Sequence, residues 1–177
     1  MTTYKLGKVA GLSLNARPDA IAGSIVLFVV LVGVSLGIFR VPLMGAIAGS
    51  LAAVVLHWVA AFAHQLGHAW AARRTGYPMS GIRFGAMGLL GTSQYPSDEP
   101  ALPAAIHIQR ALGGPSGSLF VSIVAALLAL AIRNSGELLW VLAVFFFLDN
   151  FLVFTLGSLL PLGFTDGSTL LEWWRKR

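Results

Sequence analysis

A chain of 177 residues with only 11% charged and 56% apolar side chains, and a mean hydropathy of +0.79, lacks the polar surface of a soluble domain, where about 25% of residues are charged. The absence of cysteine excludes disulfides and thiolate metal sites, leaving imidazole, carboxylate and water as possible ligands. A net charge of +5 does not point to nucleic acid, because the basic residues form small clusters at the ends of apolar runs, where membrane topology puts them.

The reading is of one membrane domain, 1–177, of all-α class with about four transmembrane helices. A polar segment, 1–19, precedes the first apolar run, Ala20–Phe39, which is read as a retained anchor because no small-residue cleavage site follows it. The second run is Leu43–Ala72. Between Arg73 and Arg110 lies the only sizeable loop, where glycines punctuate Gly81–Thr92 as in a short β-hairpin and Tyr95–Pro100 reads as a turn. The third run is Ala111–Ile132, with His107, Asp98 and Glu99 left in the loop before it. The fourth, Leu138–Trp174, is 37 residues long; as one helix it would extend about 55 Å against a hydrocarbon core of about 30 Å. Leu160-Pro161-Leu162-Gly163 and Asp166-Gly167 supply a break, which membranes tolerate only where the backbone is buried in protein or lines a wet cavity. With both termini cytoplasmic, ten of the Lys and Arg residues fall inside and only Arg40 and Arg133 outside.

The second run carries His64-Gln65-Leu66-Gly67-His68. Side chains four apart share a helix face, so two imidazoles can meet one ion from successive turns, and paired ionisable groups inside a membrane helix are rare without a function. His57 lies on the same stripe but about 10 Å along the axis from His64, too far for a shared ion, and reads as a buried hydrogen-bonding residue. A third ligand should be a carboxylate at equal depth. Asp166 precedes Arg175 by nine residues, as His64 precedes Arg73, so their depths agree. Asp149 lies deeper, near His57, and reads as that histidine's partner.

In these motifs the chain resembles the site-2 protease family of intramembrane zinc metalloproteases. His64-Gln65-Leu66-Gly67-His68 stands where the family has His-Glu-x-x-His, Leu159 to Gly167 matches its Asp-Gly motif, and Gly113-Gly114-Pro115-Ser116-Gly117 matches the start of its intervening core helix. The resemblance covers roughly Leu43 to Gly167. It implies one Zn2+ on His64, His68 and Asp166, a prokaryotic cell membrane as the setting, and a transmembrane-helix substrate that unwinds to be cut near the cytoplasmic side, with lipids as the other partner and no nucleic acid.

Two positions depart from the family. Ser158 stands where an asparagine is common, and Gln65 stands at the catalytic glutamate. A glutamine hydrogen-bonds but cannot take the proton from an attacking water, so hydrolysis by this form should be very slow or absent. Gln65 reads either as a near-isosteric change that traps an uncleaving state or as the mark of a natural pseudoprotease that binds membrane helices without cutting them. A divalent-metal transporter ranks last, since such a path needs polar groups toward the other face. Ile82 and Phe84 on the hairpin, with Ser158, are the candidates for substrate contact, the hairpin edge being one to which an unwound chain can add as a strand.

Overall fold

The computed structural model describes residues 2–177. The elements run β1 (Tyr4–Val9), β2 (Leu12–Ala16), α1 (Pro18–Gly37), α2 (Leu43–Arg74), β3 (Gly81–Ala86), β4 (Leu90–Gln94), α3 (Ala104–Ala131), α4 (Glu137–Leu148), a π-helical stretch Asp149–Gly157, and α5 (Asp166–Trp174). Four helical segments, α1, α2, α3 and Glu137–Gly157, are long and apolar enough to cross a membrane. The chain is a multi-pass membrane protein, and the expected four helices, short hairpin and broken last span are present.

Proline at the first position and an extended Arg17 before it start α1, with Asp19 in the first turn near the positive end of the helix dipole. Along α2 the buried residues Ala46, Ser50, Ala53, His57, Ala60, His64, His68 and Ala71 recur every three or four positions, joined in the second half by Ala61, Gln65 and Ala72, so one stripe of a 32-residue helix, wider toward its C-terminal end, faces the protein. Small residues in that stripe let α3 come close. A Cβ added to Gly113 would lie 2.6 Å from the Ala71 Cβ and the Gly67 carbonyl oxygen, and one added to Gly117 would lie 3.0 Å from the Gly67 Cα. In a bilayer, where apolar burial does not drive helices together, such backbone contact is a main source of helix association.

The hairpin Gly81–Thr92 of the sequence reading is β3–β4, turning through Met87 and Gly88 in left-handed conformation. It belongs to a larger sheet. Within the segment 1–19, taken as merely polar, Tyr4–Ala16 folds as the antiparallel pair β1–β2 around Ala10 and Gly11, both with positive φ, as a tight hairpin turn requires. The sheet order is β1-β2-β3-β4, with β2 and β3 parallel because α1 and α2 form the crossover between them.

A second correction concerns the start of α3. It begins at Ala104, not Ala111, so His107 and Arg110 lie on the helix and not in a loop. Arg110, read from sequence as a topological charge at the membrane surface, is 5% exposed. Its guanidinium holds both carboxyl oxygens of Glu99, at 2.5 and 2.9 Å, gives a third bond to the Tyr77 carbonyl at 2.6 Å, and lies 4.1 Å over the Tyr95 ring. The 95–99 turn is thereby tied to α3. His107 stacks on Trp173 with ring centroids 3.9 Å apart, which ties α5 to the same helix.

Two predictions test this packing. Gly67→Val should lower stability by about 1–3 kcal/mol through overpacking, whereas Gly33→Val, with no atom within 4 Å of the added Cβ, should leave it unchanged; thermal unfolding in detergent compares them, and equal Tm values would contradict the account. The Arg110 guanidinium beside Glu99 holds that carboxyl below the ordinary carboxylate range. A group lowered on folding adds stability above its unfolded value, near 4.3, and loses it as pH falls through the folded value. Glu99→Gln should therefore flatten the fall in Tm between about pH 5 and pH 3; an unchanged acid limb would mean the pair contributes nothing.

Candidate metal centre

His64 and His68 project from successive turns of α2, and their Nε2 atoms lie 3.1 Å apart. Asp166, the first residue of α5, presents one carboxyl oxygen to each, at 3.2 Å from His64 Nε2 and 3.3 Å from His68 Nε2. The chain break before α5 allows this meeting. Gly163 is left-handed, and a Cβ on Gly167 would collide with the Leu159 carbonyl, so both glycines are needed for α5 to turn back against the end of the preceding helix. Within the break, Leu162 N–H donates to Thr165 Oγ1 at 3.2 Å, Gly163 N–H donates to Ser168 Oγ at 2.6 Å, and Thr165 Oγ1 donates to the Leu160 carbonyl. Among the described residues these three side chains are the group of His, Asp and Glu close enough to hold an ion.

The far side of each imidazole has a hydrogen-bond partner on α3. His68 Nδ1 lies 2.8 Å from the carbonyl of Arg110, which can only accept, and 3.2 Å from the Gly114 N–H, which can only donate; an ion on Nε2 would leave Nδ1 protonated and donating along the shorter contact. His64 Nδ1 lies 2.9 Å from the hydroxyl of Ser118, itself fully buried, which can accept from it or donate to it. With Nδ1 protonated on both rings, the two Nε2 lone pairs face the carboxylate. Lone-pair acceptors about 3 Å apart repel unless a cation or protons lie between them. Donor atoms around a tetrahedral ion with bonds of about 2.0–2.1 Å stand about 3.3–3.4 Å apart, close to the three separations found here. The space is also kept open on the α3 side: a Cβ on Gly114 would overlap both Nε2 atoms. The donor set suits zinc, and it has the backing by hydrogen-bonded Nδ1–H groups that orients metal-binding imidazoles.

These three residues open onto a cavity of about 470 Å³, also lined by Gln65, Gly91, Ser93, Tyr95, Arg110, Phe154 and Ser158. Gln65 is 3% exposed, donates from Nε2 to the Gly91 carbonyl at 3.0 Å and accepts at Oε1 from Ser93 Oγ at 2.9 Å. Ser158 lines the cavity, but its hydroxyl is directed to the Phe154 and Thr155 carbonyls of its own helix, at 2.9 and 3.1 Å. Ile82 and Phe84 do not line it. Ile82 is fully buried with Leu12, Ala72 and Met79, and Phe84 packs on Trp58 and Phe62, because β3 lies inside the sheet and its side chains serve the core. His57 and Asp149 meet as the stripe suggested: Nδ1 lies 3.1 and 3.3 Å from the two carboxyl oxygens, while Nε2 lies 2.9 Å from the Leu89 carbonyl on the hairpin.

Sequence reasoning did not identify Ser118 or the Arg110 carbonyl as partners of the histidines. The Gly-Gly-Pro run gave a signal for close approach of α3, though spacing alone does not say which groups face which.

No family model and no curated protein matches the chain. Its structure is similar to that of the Site-2 Protease from Methanocaldococcus jannaschii, with a TM-score of 0.63 and 20% sequence identity over 96% of this chain and 70% of that one. Nearly the whole of this chain thus has the fold of that protease.

Proposed function

We propose that the chain is an intramembrane zinc metalloendopeptidase of site-2 protease type, present in a form impaired at Gln65. The observation that carries this reading is the convergence of two Nε2 atoms and a carboxylate within 3.1–3.3 Å of one another, at the floor of a cavity inside a helical membrane protein. Substrates of this class are transmembrane helices, and the excess of basic residues near one face supports both termini being cytoplasmic, a prokaryotic cell membrane being the setting that the family resemblance implies.

A divalent ion held by His64, His68 and Asp166 supplies Lewis acidity, which activates water and polarises a peptide carbonyl. The chain's own residues do the rest. Ser118 and the Arg110 carbonyl hold the imidazoles by their Nδ1–H groups, so neither ring can turn away. Phe154, 3% exposed and 5.7 Å from the His64 ring, excludes bulk water on one side. Gln65 occupies the place of a general base, but its amide nitrogen has no basic lone pair and its oxygen is held by Ser93, so no proton can pass to it. Those contacts also favour the second reading, a pseudoprotease that holds membrane helices without cutting them.

One zinc per chain is expected on metal analysis of the purified protein, with His68→Ala and Asp166→Ala each falling well below half occupancy. Gln65→Glu should raise cleavage of a membrane-embedded peptide by about 10²–10⁴-fold. Zinc in the parent protein with no cleavage by Gln65→Glu would favour the binding reading; no zinc in any form would remove the hydrolase.

A further inference from the structure

The β3–β4 pairing leaves β4 with an outer edge, and α2 lies along it. Phe84 turns its carbonyl toward β2, where it accepts the Arg17 N–H at 2.9 Å. In an antiparallel ladder, bonded and non-bonded pairs alternate, so Phe84 and Gly91 form a non-bonded pair and Gly91 directs its own carbonyl outward. That outward carbonyl is the acceptor for Gln65 Nε2 at 3.0 Å. Two residues earlier in the chain, the Leu89 carbonyl is taken by His57 at 2.9 Å. On the edge that looked open from sequence the Gly91 acceptor is occupied by a side chain of α2, and in the turn beside it a second side chain of the same helix occupies the Leu89 carbonyl.

We propose that Gln65 is a latch on β4: its amide holds the Gly91 carbonyl, which an extended chain adding to that edge would need, and the edge opens to such a chain only when Gln65 lets go. The contact selects an amide. Gly91 offers only an acceptor, so the group facing it must donate, while Ser93 Oγ donates to the other end. A carboxylate at position 65 keeps the Ser93 bond and sets an oxygen against the Gly91 carbonyl, with no proton between them. Position 91 is shaped to the contact as well, since a Cβ there would lie 3.0 Å from the Gln65 Cγ. The occupant is an extended peptide segment, the chemistry that a strand edge recognises. This deepens the protease-type reading of the cavity and rests on it only for where such a segment comes from.

The test uses the full chain in phosphatidylcholine nanodiscs. Gln65→Met keeps side-chain length and lacks both amide groups; Gln65→Glu is the second variant, close to the parent in shape but without the donor. Deuterium uptake over residues 89–94 is read together with binding of a fluorescent ten-residue extended peptide rich in Val and Thr, and of the same peptide N-methylated at alternate amides in each of its two phases. Both variants should take up deuterium faster over 89–94 than the parent, with uptake along α2 unchanged, and should bind the unmethylated probe about two- to tenfold more tightly, as one freed hydrogen bond allows. The gain should vanish for one of the two methylation phases, a result that general loosening would not produce. Unchanged uptake over 89–94, or faster uptake with no tighter binding, would overturn the proposal. Zinc content of the same samples reports on the metal centre separately, so failure of the latch and failure of the protease-type reading are distinguishable.

Discussion

The contact on which the rest depends is the approach of α3 to α2 at Gly67, Gly113 and Gly117. Only at that separation do the Arg110 carbonyl and the Ser118 hydroxyl reach His68 and His64, and with Nδ1 of each ring donating to them both imidazoles present Nε2 lone pairs to the same point. Gly114 completes the constraint by leaving that point empty of side chain on the α3 face. The same helix holds the remaining parts in place. Arg110 ties the 95–99 turn to it, and His107 stacks on Trp173 of α5, the helix that begins with Asp166. One helix thus sets the orientation of the two histidines and anchors the element that brings the carboxylate.

Around that centre the polar groups of α2 have distinct roles at distinct depths. His68 and His64 converge with Asp166; Gln65, one residue along, faces β4; His57, two turns deeper, joins Asp149 to the hairpin at Leu89. A group in the bilayer interior needs a partner because water is scarce there, and each of these four side chains has at least one within the protein. The hairpin is therefore fastened to the membrane helix by Leu89, Gly91 and Ser93 at successive alternate positions of the chain. Gly88 lies close against α1 at Gly23, which closes the other side of the turn.

Much of this was legible in the residues because helical periodicity is a strong signal. His64 and His68 are four apart, and their shared face follows from the pitch of the helix alone. Asp166 was legible through its distance from a basic cluster, since lipid imposes a common depth scale on separate spans. The start of α3 was obscured by its composition: His107, Gln109 and Arg110 interrupt the apolar run, although Pro103, standing just before the helix, is a start signal that hydropathy does not register. The β1–β2 pair was obscured for the opposite reason. Its alternation is short, its β1 side chains are exposed, and only the Ala10-Gly11 turn marks it. What Gln65 touches could not be read from spacing, because it depends on which carbonyls of β4 face outward, a property of strand pairing fixed by Phe84 and Arg17 on the far side of β3.

The central claim is that two imidazoles and one carboxylate share a single ion, and X-ray absorption at the zinc edge of the purified protein tests it most directly. The account predicts a first shell of nitrogen and oxygen atoms at about 2.0–2.1 Å, with the outer-shell scattering of two imidazole rings. A spectrum with one imidazole, or with more than two, would contradict it.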